Sequence, residues 1–210
     1  MIRILIADDH TVVRRGLELL LEKAGKRKVV ASYGNGVDAL NWLYKNDCDV
    51  AIVDIAMPGM SGVDLLMHLR KEKPNLPVLI ISAYPEEQYA VRLIKAGAAG
   101  YLNKEFEPEE IERAIACVLE GKKYVSPAVV EMLAKEVSTP TGKLPHETLS
   151  NREYQIFLLI ASAQSTSTIA EKLKLSVKTI GTYRSRILEK MGLHNNIELA
   201  RYADDYHLLQ

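Results

Sequence analysis

The first 120 residues repeat one pattern five times: a short run rich in Val, Ile and Leu, then a longer stretch whose apolar residues recur at helical spacing. The runs are IRILIA (2–7), KVVAS (28–32), DVAIV (49–53), PVLIIS (77–82) and AGYLN (99–103), each short enough to be a strand. Between them lie Val13, Leu17, Leu20 and Leu21; Ala39, Leu40, Leu43 and Tyr44; and Val63, Leu66, Met67 and Leu69. Ala90, Leu93 and Ile94 mark a fourth stripe, and Ile111, Ile115, Val118 and Leu119 a fifth. Strand-then-helix repeats place successive strands in parallel, with a helix crossing between them. The pattern therefore predicts an α/β domain: a doubly wound, five-stranded parallel sheet with helices on both faces. Pro58, Gly62, Pro74, Pro77, Gly97 and Gly100 fall where its turns are needed.

The alternation stops after Gly121. SPAVVEML (126–133) predicts a short helix capped by Ser126 with Pro127 at its first position, and STPTGKLPHET (138–148) reads as an exposed linker. Only helical patterns follow. Ser150 and Glu153 form a capping box before Ile156, Leu159 and Ile160, and a second short helix carries Ile169, Ala170 and Leu173. Ser176 caps a third, VKTIGTYRSRILEKM, which stops at Gly192. Asn195 and Glu198 box a fourth carrying Leu199, Tyr202 and Ala203. The organisation expected is an α/β domain over 1–121, a linker with a short helix over 122–145, and a small all-α domain over 146–210. Two short helices around a tight turn in that last part resemble a helix-turn-helix.

Composition excludes several classes. Two distant cysteines, Cys48 and Cys117, make neither a disulfide framework nor a metal site and suit a reducing cytosol. No apolar stretch approaches the ~20 residues of a membrane span. The opening MIRILIADD is too short and too acidic at its end for a signal peptide, so the expected location is cytoplasmic, without a membrane partner. Net charge is zero; from Thr141 onward nine Lys/Arg face seven Asp/Glu. Bulk charge is thus too even to argue for nucleic acid, and DNA affinity would have to come from local placement and from two copies binding together.

The chemistry concentrates at the ends of the apolar runs. Asp8 and Asp9 follow RILIA, Asp54 closes DVAIVD, Ser82 follows VLII and Lys104 follows AGYLN. In a parallel sheet these ends share one edge, so the five residues converge in the crevice beyond it. Phosphoryl transfer to a carboxylate needs a nucleophile, neutralised oxygens and positioning. Asp54 suits the nucleophile; Asp8, Asp9 and Asp54 offer hard oxygen ligands for Mg²⁺. Lys104 would neutralise the phosphoryl group and Ser82 would donate a hydrogen bond to it. Taken singly, each has a plainer reading: a helix cap for the Asp pair or Ser82, a turn for Asp54, a solvated surface for Lys104. Those readings leave their shared position at strand ends unexplained.

ADD at 7–9, VDIAMPGMSG at 53–62, the Ser82-Ala83 step, Tyr101 and Lys104 together resemble the receiver domains of two-component response regulators. The resemblance implies phosphorylation of Asp54 by a sensor histidine kinase, with the Ala56 carbonyl added to the metal ligands. It also implies a switch in which Ser82 moves toward the phosphoryl group and Tyr101 turns inward. Glu105 stands where many receivers have proline after the lysine, which leaves the Lys104–Glu105 peptide geometry open.

LSNREYQIFLLIA, IAEKLKLSVKTI and RSRILEKMGL resemble the LuxR-type four-helix DNA-binding domain of the NarL/FixJ branch. The resemblance implies that the helix over about 177–191 enters the major groove of double-stranded DNA and that the last helix, about 196–206, can pair two copies into a homodimer once phosphorylated. Helical geometry sorts the third helix independently: Val177, Ile180, Ile187 and Met191 fall on one face, Lys178, Thr182, Ser185 and Arg186 on the other. Thr179 and Gly181 edge that second, DNA-facing set. Lys178 and Arg186 suit phosphates, Thr182 and Ser185 suit base edges, and Arg184 projects toward the apolar side. AQSTST (163–168) lacks the turn glycine and capping glutamate common in the family.

Two other classes remain open at this stage. A phosphoryl-transferring or phosphatase enzyme would need a second nucleophile or general base near Asp54, and none is evident, so the expectation is no enzyme. An FMN-binding flavodoxin-like protein shares the strand order, and a colourless preparation would count against it.

Overall fold

The computed structural model describes residues 1–23, 25–138 and 144–209. The chain divides into two compact units, Met1–Ser138 and Thr139–Gln210. The first contains the predicted alternation in full: β1 (Ile2–Ala7), α1 (Thr11–Lys23), β2 (Arg27–Tyr33), α2 (Gly36–Leu43), β3 (Val50–Asp54), α3 (Gly62–Glu72), β4 (Val78–Ser82), α4 (Glu86–Lys95), β5 (Gly100–Asn103) and α5 (Pro108–Leu119). The strands pair in parallel in the order β2-β1-β3-β4-β5.

Because successive side chains in a strand alternate between faces, each strand supplies two cores. Ile4, Ile6, Val50, Ile52, Leu79 and Ile81 pack with Leu17 and Leu21 of α1 and with Ile111, Ala114, Ile115 and Val118 of α5. The intervening Leu5, Ala51, Val53 and Ile80 are equally buried, on the side of α2, α3 and α4. Each fully buried aliphatic side chain is worth roughly 1.5 to 3 kcal/mol. β3, flanked by strands on both sides and covered on both faces, is buried at every residue, Asp54 included.

The stripe residues Tyr44, Met67 and Leu119 lie outside this core; Met67 is 45% exposed. In α3 the buried set is Gly62, Val63, Leu65, Leu66 and Leu69, and Met67 lies more than a quarter-turn from its centre at 100° per residue. Tyr44 caps α2 and Leu119 ends α5, where the covering layer runs out. Gly62 opens α3 against the end of β3. A Cβ there would lie 1.9 Å from the Asp54 carbonyl oxygen and 2.8 Å from Val53 Cγ1, so no side chain fits.

Residues 122–138, expected as the first part of a linker, pack on the first unit. Tyr124 accepts from Tyr101 N and donates to the Ala99 carbonyl, extending the β5 edge by a parallel bridge to Gly100. Ser126 caps α6 (Pro127–Ser138) through Val129 N, as its sequence position predicts. Its hydroxyl also donates to Glu86 Oε1 of α4 at 2.6 Å, and Val129 is fully buried. The helix runs five residues past the predicted 133. Of the expected linker, residues 139–143 lie outside the described residues.

The second unit starts with a 3-10 helix, Pro145–Thr148, then α7 (Asn151–Ala161), α8 (Thr166–Lys172), α9 (Val177–Met191) and α10 (Asn196–Asp205). The Ser150–Glu153 capping box is present, and Ser176 and Asn195 cap α9 and α10. Lys190 Nζ joins the box at 2.7 Å from Glu153 Oε2 and so ties α9 to the start of α7. Ile156, Phe157, Ile169, Ile180, Ile187, Leu199 and Ala203 form the core. Past α7 the chain turns on Ala163 with φ +59°, and Gln164 N donates back to the Leu159 carbonyl in a Schellman-type stop. Glycine is the usual residue there because a Cβ raises the energy of the left-handed conformation.

Candidate functional site

The order β2-β1-β3-β4-β5 reverses direction between β1 and β3, and the crevice beyond the strand ends at such a point is where open α/β sheets bind ligands. Ala7 pairs with Val53, so Asp8 leaves the sheet beside Asp54. On the other flank Asp54 pairs with Ile81, and Ser82 pairs with Asn103 one residue before Lys104. The Lys104 amide donates to the Ser82 carbonyl at 2.8 Å, which fixes where the lysine leaves β5.

From there the lysine reaches across the end of β4. Its Nζ stands 2.7 Å from Asp8 Oδ2 and 3.2 Å from Asp54 Oδ2. Asp54 is only 3% exposed. Its Oδ2 makes that ion-pair contact but has no partner in hydrogen-bond geometry. Burial pushes the Asp54 carboxyl up to about 6, Lys104 opposes the rise, and Asp8 and Asp9 add to it. A buried carboxylate of this kind is short of compensating charge, which a cation can supply.

One ligand atom from each of Asp8, Asp9, His10 and Asp54 can be chosen so that all lie within 4.8 Å of one another. With a buried Asp54 oxygen left without a hydrogen bond, this donor set fits a divalent cation with oxygen ligands. His10 is a member that the sequence reading passed over, although it directly follows the acidic pair. Its Nδ1 lies 2.9 Å from Asp9 Oδ1 and 3.2 Å from Asp8 Oδ1. Arg14 was also passed over; its guanidinium donates to the Asp8 carbonyl at 2.5 Å and braces the end of β1. Ala56 sits half-buried two residues beyond Asp54.

Ser82 and Tyr101 lie close behind. The Ser82 hydroxyl accepts from Tyr84 N at 3.1 Å, and Tyr101 is buried with its hydroxyl donating to the Tyr84 carbonyl at 2.7 Å. Burial raises the Tyr101 phenol well above its ordinary value, with the Ser82 hydroxyl opposing. Tyr84 is thus held from both sides, a link that no spacing in the sequence signals. The Lys104–Glu105 peptide is trans.

In the second unit Lys178, Thr182, Ser185 and Arg186 are exposed along one side of α9, and Thr179 is half-buried. Thr179 Oγ1 lies 2.8 Å from the capping Ser176 Oγ. The Thr182 and Ser185 hydroxyls donate to the Lys178 and Gly181 carbonyls, which leaves their lone pairs free to accept. Arg184 Nε donates to Asn196 Oδ1 of α10 at 2.6 Å, so this side chain braces α9 against α10 as its apolar-side placement predicts. Val177, expected with the apolar set, is 51% exposed because it is the first residue of α9. Among the described residues no helix is long and apolar enough to cross a membrane.

Comparison with known proteins agrees with both units. Residues 4–116 match the response regulator receiver domain, and residues 147–203 match the family described as bacterial regulatory proteins, luxR family. The chain is 37% identical over 204 residues to the response regulator GacA of Pseudomonas aeruginosa, covering 97% of this chain and 95% of that protein. It is 33% identical over 204 residues to the response regulator UvrY of Escherichia coli K12, covering 97% and 94%. The solved structure of RcsB from Salmonella enterica serovar Typhimurium bound to promoter P1flhDC with the phosphomimetic BeF3⁻ superposes with a TM-score of 0.64 at 26% identity, covering 96% of this chain and 97% of that one. A receiver domain followed by a LuxR-type DNA-binding domain, matched over almost its whole length, places the chain in the NarL/FixJ family of two-component response regulators.

Proposed function

We propose that the chain is a transcriptional regulator switched by phosphorylation of Asp54 by a sensor histidine kinase. The observation that carries this reading is the buried Asp54 carboxylate, contacted by Lys104, in a cluster with Asp8 and Asp9 at the carboxyl edge of the sheet. An Asp54 oxygen attacks the phosphorus of a phosphohistidine; the P–N bond breaks, and its electron pair stays on the imidazole, which takes up a proton. Lys104 neutralises one phosphoryl oxygen and Ser82 donates to another. Asp8, Asp9, Asp54 and the Ala56 carbonyl would hold Mg²⁺, which would supply positive charge to offset that of the phosphoryl group.

Phosphorylation adds roughly one and a half to two negative charges. Ser82 then exchanges its bond to Tyr84 N for one to the phosphoryl group, and Tyr84 and Tyr101 respond together. In the second unit Lys178 and Arg186 contact phosphates, Thr179 edges the same face beside the capping Ser176, and Thr182 and Ser185 accept from base edges. Two copies, paired through α10, bind double-stranded DNA as a homodimer in the cytoplasm. Proteins built of a receiver and a LuxR-type domain are transcription-regulating response regulators, so we read the protein as a regulator and not an enzyme.

Incubation with acetyl phosphate and Mg²⁺ should add one phosphoryl mass to the wild type and none to Asp54→Ala. A mass gain that survives Asp54→Ala overturns the assignment. DNA binding that is the same with and without the phosphodonor overturns the switch.

A further inference from the structure

We propose that His10 supplies a nitrogen ligand to the divalent-cation site and shifts its preference from Mg²⁺ toward borderline ions such as Ni²⁺; the proposal rests on reading the carboxylate cluster as a cation site. The His10 backbone amide donates to Asp8 Oδ1 at 2.7 Å, which pins the residue at the end of β1. The ring folds over the carboxylates, with Nδ1 at 2.9 Å from Asp9 Oδ1 and 3.2 Å from Asp8 Oδ1. Adjacent ligand atoms of an octahedral ion with bonds of about 2.1 Å stand about 3 Å apart. Without an ion the same separations make Nδ1 a hydrogen-bond partner of Asp8 Oδ1, and a cation entering the cluster would take the place of that proton with Nδ1 already at ligand spacing.

A second observation points to a cation at this place. Asp54 belongs to the same four-residue set, and its buried Oδ2 has an ion-pair contact with Lys104 Nζ at 3.2 Å but no hydrogen bond. The His10 side chain is 61% exposed, so the site opens to solvent past the imidazole and an ion can enter there. Three carboxylates alone favour hard, oxygen-seeking ions. A neutral imidazole adds little for Mg²⁺ but much for Ni²⁺, Cu²⁺ or Zn²⁺, whose affinity for nitrogen donors follows the Irving–Williams order. On this account His10 sets which ion assists phosphoryl transfer in a cell where several compete.

The test is isothermal titration of the full-length protein, stripped with chelator and held at pH 8, with MgCl₂ and separately with NiCl₂. Wild type should bind Ni²⁺ more tightly than Mg²⁺. His10→Ala should lose on the order of ten-fold or more in Ni²⁺ affinity while Mg²⁺ affinity stays within about two-fold. His10→Gln, which keeps a polar side chain at the same exposed position, should behave as His10→Ala. Asp9→Asn should weaken both ions, and Ni²⁺ binding that remains in it marks the other histidines. If both His10 variants keep the wild-type Ni²⁺ affinity, or lose both ions by the same factor, while Asp9→Asn still weakens both, the role of His10 is overturned and the cation site stands. If Asp9→Asn leaves both ions unaffected, the cation site itself fails.

Discussion

Replacing Asp54 by asparagine should stabilise the metal-free first unit, and increasingly so as pH rises. The folded carboxyl titrates at about 6 against an ordinary 3.8, chiefly because of burial. With the folded pKa raised, the stability contributed by the neutral acid is fully present below pH 3.8 and is lost as pH rises through about 6. At pH 8 the ionised group thus costs about 3 kcal/mol, using about 1.36 kcal/mol per pKa unit. Asparagine has nearly the same shape and never ionises, so its advantage over wild type should grow by about 2 to 3 kcal/mol between pH 4 and pH 8. The chain has one tryptophan, Trp42 in α2, so its fluorescence in urea reports on this unit within the intact protein. With a slope of about 2 kcal/mol per molar urea, the gap between midpoints should widen by about 1 to 1.5 M in EDTA. Saturating Mg²⁺ should narrow it, because the ion stabilises only the fold that binds it. A gap that stays constant from pH 4 to pH 8 in EDTA would refute the account of Asp54 as a buried, under-compensated charge.

Gly62→Ala forces a Cβ into the Asp54 carbonyl and should cost about 3 kcal/mol by the same fluorescence assay, and phosphorylation should fall with it. Ala163→Gly relieves a left-handed alanine and should stabilise the second unit by about 0.5 to 1 kcal/mol, seen as a later helical transition by circular dichroism. Gly181 has open space at its Cβ position, so Gly181→Ala should stabilise α9 by about 1 kcal/mol in that assay. Lys178→Ala should weaken binding to all DNA sequences and reduce the slope of log affinity against log salt by about one unit; an unchanged slope removes Lys178 from the interface.

The sheet was legible because a buried parallel strand is written as an unbroken apolar run. The polar residue that ends each run marks the sheet's edge, and Asp8, Asp54, Ser82 and Lys104 were read from that alone. The helices were legible to within one face. Met67 satisfied a spacing rule but not the finer angular limit that excludes it. Residues 122–138 carried no marker of their attachment to the first unit, since a Tyr124 backbone bridge and one Ser126–Glu86 hydrogen bond leave no periodic trace. His10 escaped notice because its role depends on the ring folding back over its two neighbours, a rotamer that no spacing encodes. The left-handed Ala163 was half-visible as a missing glycine, though only the backbone angle shows that the turn is made without it.

The close approach of Gly62 to the Asp54 carbonyl oxygen also bears on how the proposed phosphorylation of Asp54 would be felt by the fold. With the start of α3 wedged against it, the Asp54 backbone has no room to recoil on that side, which would act as an anvil to charge added at the carboxylate. On that reading displacement goes the other way, into the loop after β4, where Ser82 and Tyr101 each hydrogen-bond Tyr84 and the Tyr84 ring packs 4.9 Å from that of Tyr89 in α4. That loop leads within two residues to Glu86, whose carboxylate accepts from Ser126 at the cap of α6. A rigid residue without a side chain thereby gives the molecule its direction of response.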